Sequence, residues 1–321
     1  MTYNINILTL SILLLVFSSC TKTDTAKLNS INVQTVDLQN HVNRLSKIYP
    51  PRSFQNISSL NLAADYIFQE FSVSGLRITK QTYQIENKGN YTNIIGEINP
   101  NATSTIVIGA HYDVCGEFKG ADDNASGVAG LIELGKLLRI HQKEIPFNIQ
   151  LVAYSTEEPP FFGSNDMGSY IHAKSLFDQH KKVDLMICLE MIGFYTDKEK
   201  SQKYPSVLMK PFYPSTGNFI AVVSKFEDGD IVKEIKKIFL SKTNIPCETL
   251  SAPAFIATGI DFSDHRNYWT FGYNAVMITD TSFYRNHNYH TENDTPETLN
   301  YTKMAEVVKG TFFYILSKKP K

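Results

Sequence analysis

Acids and histidines recur along this chain at spacings suited to holding a metal ion and moving a proton. The run Gly109-Ala110-His111-Tyr112-Asp113 delivers His111 from an apolar stretch, with Asp113 two residues on. An imidazole that ligates through one nitrogen commonly has the other held by a carboxylate, a role open to Asp113; taken alone, a histidine at a strand end is more often structural. The segment Gly120-Ala121-Asp122-Asp123-Asn124-Ala125-Ser126-Gly127 leads into a helix, where Asp and Asn satisfy free backbone amides. A functional reading sends Asp122 into the crevice as a carboxylate able to bridge two cations and leaves Asp123 and Asn124 to organise the turn. Glu157 and Glu158 are adjacent and precede Pro159-Pro160. Neighbouring carboxylates beside an apolar strand need a compensating charge, and Pro159 biases Glu158 towards extended geometry, so one side chain can ligate while the other acts as a base. The alternative is a solvated charged turn. Glu190 emerges from the apolar run Leu185-Met186-Ile187-Cys188-Leu189 and must be capped locally or paired with a cation. Last comes Tyr289-His290-Thr291-Glu292-Asn293-Asp294-Thr295, with His287 a rival to His290 as ligand.

These stretches follow segments that read as strands. Apolar β-rich text covers 78–85, 91–98 and 105–110, then 149–154, 185–189, 219–223 and 275–279. Helical spacing marks 128–138, 169–179, 231–240 and 304–316, and a covering helical region spans 30–77, where Leu60, Ala63, Ala64, Ile67, Phe68 and Phe71 recur at three- and four-residue intervals. Alternating strands and amphipathic helices predict a single α/β domain, with a mixed, mostly parallel central sheet, helices on both faces and an antiparallel portion near its start. In an open sheet of this kind ligands collect beyond the carboxyl ends of the strands, where the acids and histidines fall.

Taken in order, His111, Asp122, Glu157-Glu158, Glu190 and His290 resemble the co-catalytic zinc aminopeptidases, a family that includes bacterial leucyl or vacuolar-type aminopeptidases. The His-x-Asp, Asp-Asp-Asn-x-Ser-Gly, Glu-Glu and His-Thr-x-x-Asp-Thr steps occur in the family's order on matching elements. The resemblance implies two Zn2+ per chain: His111 and Glu190 on one, Glu158 and His290 on the other, Asp122 bridging. It also implies Glu157 as general base towards a water held between the ions, Tyr289 as oxyanion stabiliser, and peptides with free N-termini as substrates. Oxygen and nitrogen donors suit zinc, and paired ions acidify water while polarising a carbonyl. Many relatives have Asp where this chain has Glu190. Ser263-Asp264-His265 resembles a family segment lining the site, and is equally readable as a self-satisfied turn. Two other readings use the same scaffold: a glutaminyl cyclase working with one zinc, and a non-catalytic peptide-binding envelope lipoprotein.

With 31 Lys and Arg against 32 Asp and Glu, the chain lacks the basic excess on which nucleic-acid affinity depends, so no nucleic-acid partner is expected. The 5–17 stretch is apolar apart from Asn6, Thr9 and Ser11; it is short for a membrane span and suited to a signal-peptide core. Ser18-Ser19-Cys20 then resembles a bacterial lipoprotein signal. The expected organisation is a signal peptide at 1–19, a lipidated tether at 20–30 and a zinc peptidase domain at 31–321, exported to the bacterial cell envelope and held to the membrane by a lipid on Cys20. Cys115, Cys188 and Cys247 permit at most one disulfide.

Overall fold

The computed structural model describes residues 31–319. The expected signal peptide (1–19) and the whole of the expected tether (20–30), Cys20 included, lie outside that range. Among the described residues, no helix is long and apolar enough to cross a membrane.

Eight strands form one sheet: β1 (Arg77–Ile85), β2 (Gly89–Ile98), β3 (Thr105–His111), β4 (Asn148–Tyr154), β5 (Val183–Glu190), β6 (Ile220–Ser224), β7 (Cys247–Ser251) and β8 (Ala275–Thr279), in the order β1-β2-β4-β3-β5-β8-β6-β7. The centre is parallel, with β3 between β4 and β5 and β8 outside β5. The β1–β2 and β2–β4 pairs are antiparallel, as expected near the start; a second antiparallel contact, β6 against β8, lies beyond the parallel centre. The strands of this parallel centre are largely apolar because helices cover both faces; β3 is buried at every residue.

The helices are α1 (Thr35–Ser46), α2 (Ile57–Val73), α3 (Gly127–Ile140), α4 (Gly168–Asp178), α5 (Gly229–Lys242), α6 (His265–Thr270) and α7 (Tyr301–Ser317). The covering region expected at 30–77 is two helices, α1 and α2, separated by an irregular stretch containing Pro50-Pro51, whose rings cannot continue a helix. Alternation along the strands divides the core. Leu151 packs beside Gly135 of α3, whereas its neighbour Val152 joins Val107, Met186 and Cys188 under Ala173 and Leu176 of α4 and Tyr268 of α6. At Gly109 a Cβ would overlap the ring of Tyr154. That ring is fully buried and its hydroxyl is 2.7 Å from the Tyr268 hydroxyl, which lies 2.6 Å from His172 Nδ1.

Because β3, β4 and β5 run parallel, their carboxyl ends share one edge. His111 closes β3, Glu157 and Glu158 follow β4 by three and four residues, and Glu190 closes β5.

Candidate metal centre

Three loop conformations aim the side chains that leave this edge. Thr156, Met191 and His290 all have positive φ, at 61°, 48° and 53°, a region that costs a non-glycine residue about 1 kcal/mol or more. Two of them are visibly held by their surroundings: Thr156 Oγ1 reaches the Asp166 carbonyl and the Tyr83 hydroxyl at 2.7 Å, and the Met191 N–H donates to Asn124 Oδ1 at 3.0 Å. Strain at these joints re-aims the chain at Glu157, Glu190 and His290.

The site forms around one carboxylate. Asp123 Oδ1 lies 3.3 Å from His111 Nε2, and Asp123 Oδ2 lies 3.0 Å from His290 Nε2. Each imidazole nitrogen also faces an acid of its own: Glu190 Oε2 is 3.3 Å from His111 Nε2, and Glu158 Oε2 is 3.3 Å from His290 Nε2. Glu157 Oε2 stands 3.9 Å from His111 Nε2. The structure thus brings together His111, Glu157, Glu158, Glu190 and His290, as expected from the sequence.

Asp122 requires a correction. Its Oδ1 accepts from the Gly193 N–H at 2.9 Å and its Oδ2 from Asn286 Nδ2 at 2.7 Å, so Asp122 braces two loops and Asp123 occupies the crevice. The backbone decides between the adjacent acids. The turn at 121–126 leaves helical geometry at Asp123 (φ −102°, ψ 93°) and Asn124 (φ −128°, ψ 39°), and an extended residue sends its side chain away from its neighbour's side.

Asp113 holds backbone amides and not the His111 ring. Its two oxygens accept the N–H groups of Glu157 at 3.1 Å and Glu158 at 3.0 Å, while His111 Nδ1 is 3.5 Å away, beyond good hydrogen-bond range. Asp294 repeats the device, accepting from the N–H groups of Asp122 at 2.8 Å and Asp123 at 3.1 Å. Tyr289 stacks on His290 with ring centroids 3.8 Å apart and lines the cavity. His287 packs against Phe194 instead. Of the 263–265 segment, Ser263 reaches the centre by donating to Glu190 Oε2 at 2.7 Å, Asp264 is buried and pushed up to about 7 by that burial, and His265 pairs with the Ile260 carbonyl. Cys115, Cys188 and Cys247 are free thiols. Burial, with Glu158 and Asp123 nearby, pushes Cys115 up to about 12.

Arg52 carries no signal in the sequence. It is 1% exposed, and its guanidinium donates to the carbonyls of Tyr112 at 2.7 Å, Lys119 at 2.7 Å, Gly120 at 2.6 Å and Leu45 at 3.3 Å. It therefore ties down the loop joining His111 to Asp123.

The electrostatics of the centre call for a cation. Burial raises Glu157 well above the usual carboxylate range, Glu158 to about 8, and Glu190 as well, each pushed further by neighbouring acids. Burial would raise Asp123 too, but His111 and His290 hold it below the usual range. Burial opposes charge on the imidazoles, yet Glu190 and Glu157 raise His111, and Asp123 with Glu158 raises His290 to about 10. His111 Nε2, His290 Nε2 and Glu158 Oε1 are buried with no hydrogen-bond partner. Unpaired groups of this kind are costly, and divalent cations with nitrogen and oxygen coordination would satisfy all three.

The sequence profile of peptidase family M28 matches residues 93–314. The chain belongs to peptidase family M28. It is 46% identical over 290 residues to the uncharacterized protein YfbL of Escherichia coli (strain K12), covering 88% of each chain. It is 24% identical over 249 residues to leucine aminopeptidase 1 of Coccidioides posadasii, covering 72% of this chain and 56% of that protein's length. The fold is that of LapB from Legionella pneumophila (TM-score 0.72, 20% identity, 92% of this chain and 74% of that one). A glutaminyl cyclase from Porphyromonas gingivalis shares it as well (TM-score 0.65, 18% identity, 88% and 97%).

Proposed function

We propose that the chain is a zinc aminopeptidase with two ions per chain. The observation that carries this reading is the Asp123 carboxylate, with one oxygen at each of two imidazoles that each face a further acid. Two donor sets sharing one carboxylate suit a pair of ions: His111, Glu190 and Asp123 for one, Glu158, His290 and Asp123 for the other. Bound zinc supplies Lewis-acid polarisation of the scissile carbonyl and acidification of water. Glu157, beside both sets, accepts the proton of the attacking water and returns it to the leaving amine, and the Tyr289 hydroxyl donates to the developing oxyanion.

The cavity that opens from the centre, about 360 Å³, runs over Phe219, Ala221, Val223, Ile260 and Met277. An apolar floor next to a cluster of acids accepts a peptide whose first residue is apolar and whose α-ammonium pairs with a carboxylate. The test compares release of the first residue from leucyl and phenylalanyl peptides, free and N-acetylated, with metal analysis of the same preparation. Free peptides should be cleaved and acetylated ones spared, with two zinc per chain. Glu157→Gln should keep both ions and lose about two to four orders of magnitude in rate, whereas Glu158→Gln should lose metal. Equal cleavage of acetylated peptides refutes the aminopeptidase reading; a single zinc with cyclisation of N-terminal glutamine and no hydrolysis moves the assignment to a cyclase.

For location, we propose export and lipid anchoring at Cys20, on the strength of the apolar 5–17 core followed by Ser18-Ser19-Cys20. Cys20→Ser should leave the membrane fraction; a variant that partitions as the parent does refutes the anchor.

A further inference from the structure

The loop joining β3 to the Asp123 turn carries Cys115, a half-buried free thiol. Ligand atoms of Cys115, Glu158 and His290 all lie within 4.8 Å of one another. Glu158 is 4% exposed, and its Oε1 has no hydrogen-bond partner. A separate trio, His111, Asp123 and Glu190, meets the same spacing on the other side of the Asp123 carboxylate.

The donors can be counted. An imidazole nitrogen has one lone pair, so His290 Nε2 binds one ion only, and an ion seated among Cys115, Glu158 and His290 is the same ion that Asp123 Oδ2, 3.0 Å from that nitrogen, faces. Zinc with tetrahedral bonds of about 2.0–2.3 Å sets its donors roughly 3.3–3.7 Å apart, and the Glu158 Oε2 to His290 Nε2 separation is 3.3 Å. We propose that Cys115 is the fourth protein ligand of the ion held by Asp123, Glu158 and His290, so that the centre pairs one closed, thiolate-containing position with one open position at His111, Asp123 and Glu190. The proposal rests on the two-ion reading above and adds an inequality between the ions. Four protein donors including a sulfur characterise tightly held zinc, whereas three donors leave a place for water or substrate. Binding displaces the thiol proton to solvent, since the nearby cation deprotonates a coordinated thiol outright. Sulfur also biases the closed position towards zinc and against manganese.

The test is spectroscopic and uses the full chain. Loaded with cobalt(II), the parent should show near-ultraviolet thiolate-to-cobalt charge-transfer absorption that is absent from Cys115→Ser, in which Cys188 and Cys247 remain. Zinc competition with a chromophoric chelator should show one tight and one weaker ion in the parent, with the tight one released at least tenfold more readily by the variant. Should the variant fail to fold, iodoacetamide labelling of Cys115 in the parent, read by mass spectrometry, should be blocked by zinc. Two cobalt ions bound without the absorption, absorption that survives in Cys115→Ser, or labelling at equal rates with and without zinc overturns the assignment and leaves the two-ion reading standing. A chain that binds no cobalt or zinc overturns both.

Discussion

Replacing Arg52 with methionine should separate the scaffold of the centre from its chemistry. Burial, partly offset by the nearby acids Asp294, Asp123, Asp113 and Glu158, pushes the guanidinium down to about 10, a net penalty on the charged form of roughly 3 kcal/mol. Against it stand three short hydrogen bonds to carbonyls, at 2.6, 2.7 and 2.7 Å, and a longer fourth at 3.3 Å. Bonds from a charged donor contribute about 1.5–3 kcal/mol each, so the three short ones exceed the cost by a few kcal/mol. The Arg52→Met change would relieve the charge burial but leave the carbonyls of Tyr112 and Gly120 buried, and that of Lys119 part-buried, without that donor. The expected net loss is about 3–5 kcal/mol, a large share of the stability of an ordinary domain. Urea unfolding in the presence of chelator should show a lower midpoint with an unchanged slope. Zinc affinity, measured separately under folding conditions, should also fall, because the released loop sits between His111 and Asp123. Arg52→Lys should recover only a small part of either loss, one ammonium being unable to reach all four carbonyls. An Arg52→Met variant within about 1 kcal/mol of the parent, the scatter of ordinary substitutions, would refute the argument.

Asp123→Asn should strip both ions during gel filtration while Asp122→Asn retains them, and metal analysis giving the reverse order would restore Asp122 as the bridge. Gly109→Ala would drive a methyl into the buried Tyr154 ring, lowering stability by about 1–3 kcal/mol, visible as a fall in melting temperature; an unchanged melting curve counts against the described packing. Burial holds His172 down at about 3 and His265 at about 4, so both are neutral in the folded chain while the unfolded chain takes up protons below about 6.5; stability is full above that pH and declines as pH falls towards the folded values, by about 2 kcal/mol per histidine between about pH 7 and 5. His172→Gln should therefore lose about 2 kcal/mol less than the parent over that interval, and parallel pH curves would exclude the effect.

The strands of the parallel centre are legible in the sequence because each is a short apolar run with a turn behind it, and most of the central residues are legible because they close such runs or follow them. What escapes lacks that signal. β7, Cys-Glu-Thr-Leu-Ser, is partly exposed along most of its length and reads as loop, and α6 has only six residues, too few for a period to show. The choice between Asp122 and Asp123 depends on the backbone angles at 123–124, which adjacent identical side chains cannot reveal. Arg52 lies in an irregular stretch and serves carbonyls as many as 68 residues away, a pairing without local pattern. Asp294 belongs to a recognisable motif, but its grip on the amides of the Asp122-Asp123 turn emerges only when the chain ends of β3 and β8 are brought to one edge.

That grip has a consequence for biogenesis. Asp294 meets the Asp122 amide across 172 residues of chain, and Asn286 reaches the same aspartate across 164. Closing loops of that length precedes any reward from the contacts they permit, which places such contacts late in folding. A nascent chain that has emerged only as far as β8 holds His111, Glu157, Glu158 and Glu190 but has neither His290 nor the carboxylate that fixes the Asp123 turn. Hydrolytic competence therefore arrives only with the last stretch of polypeptide, and the unfinished chain, with its own exposed peptide bonds, carries no working copy of its own centre.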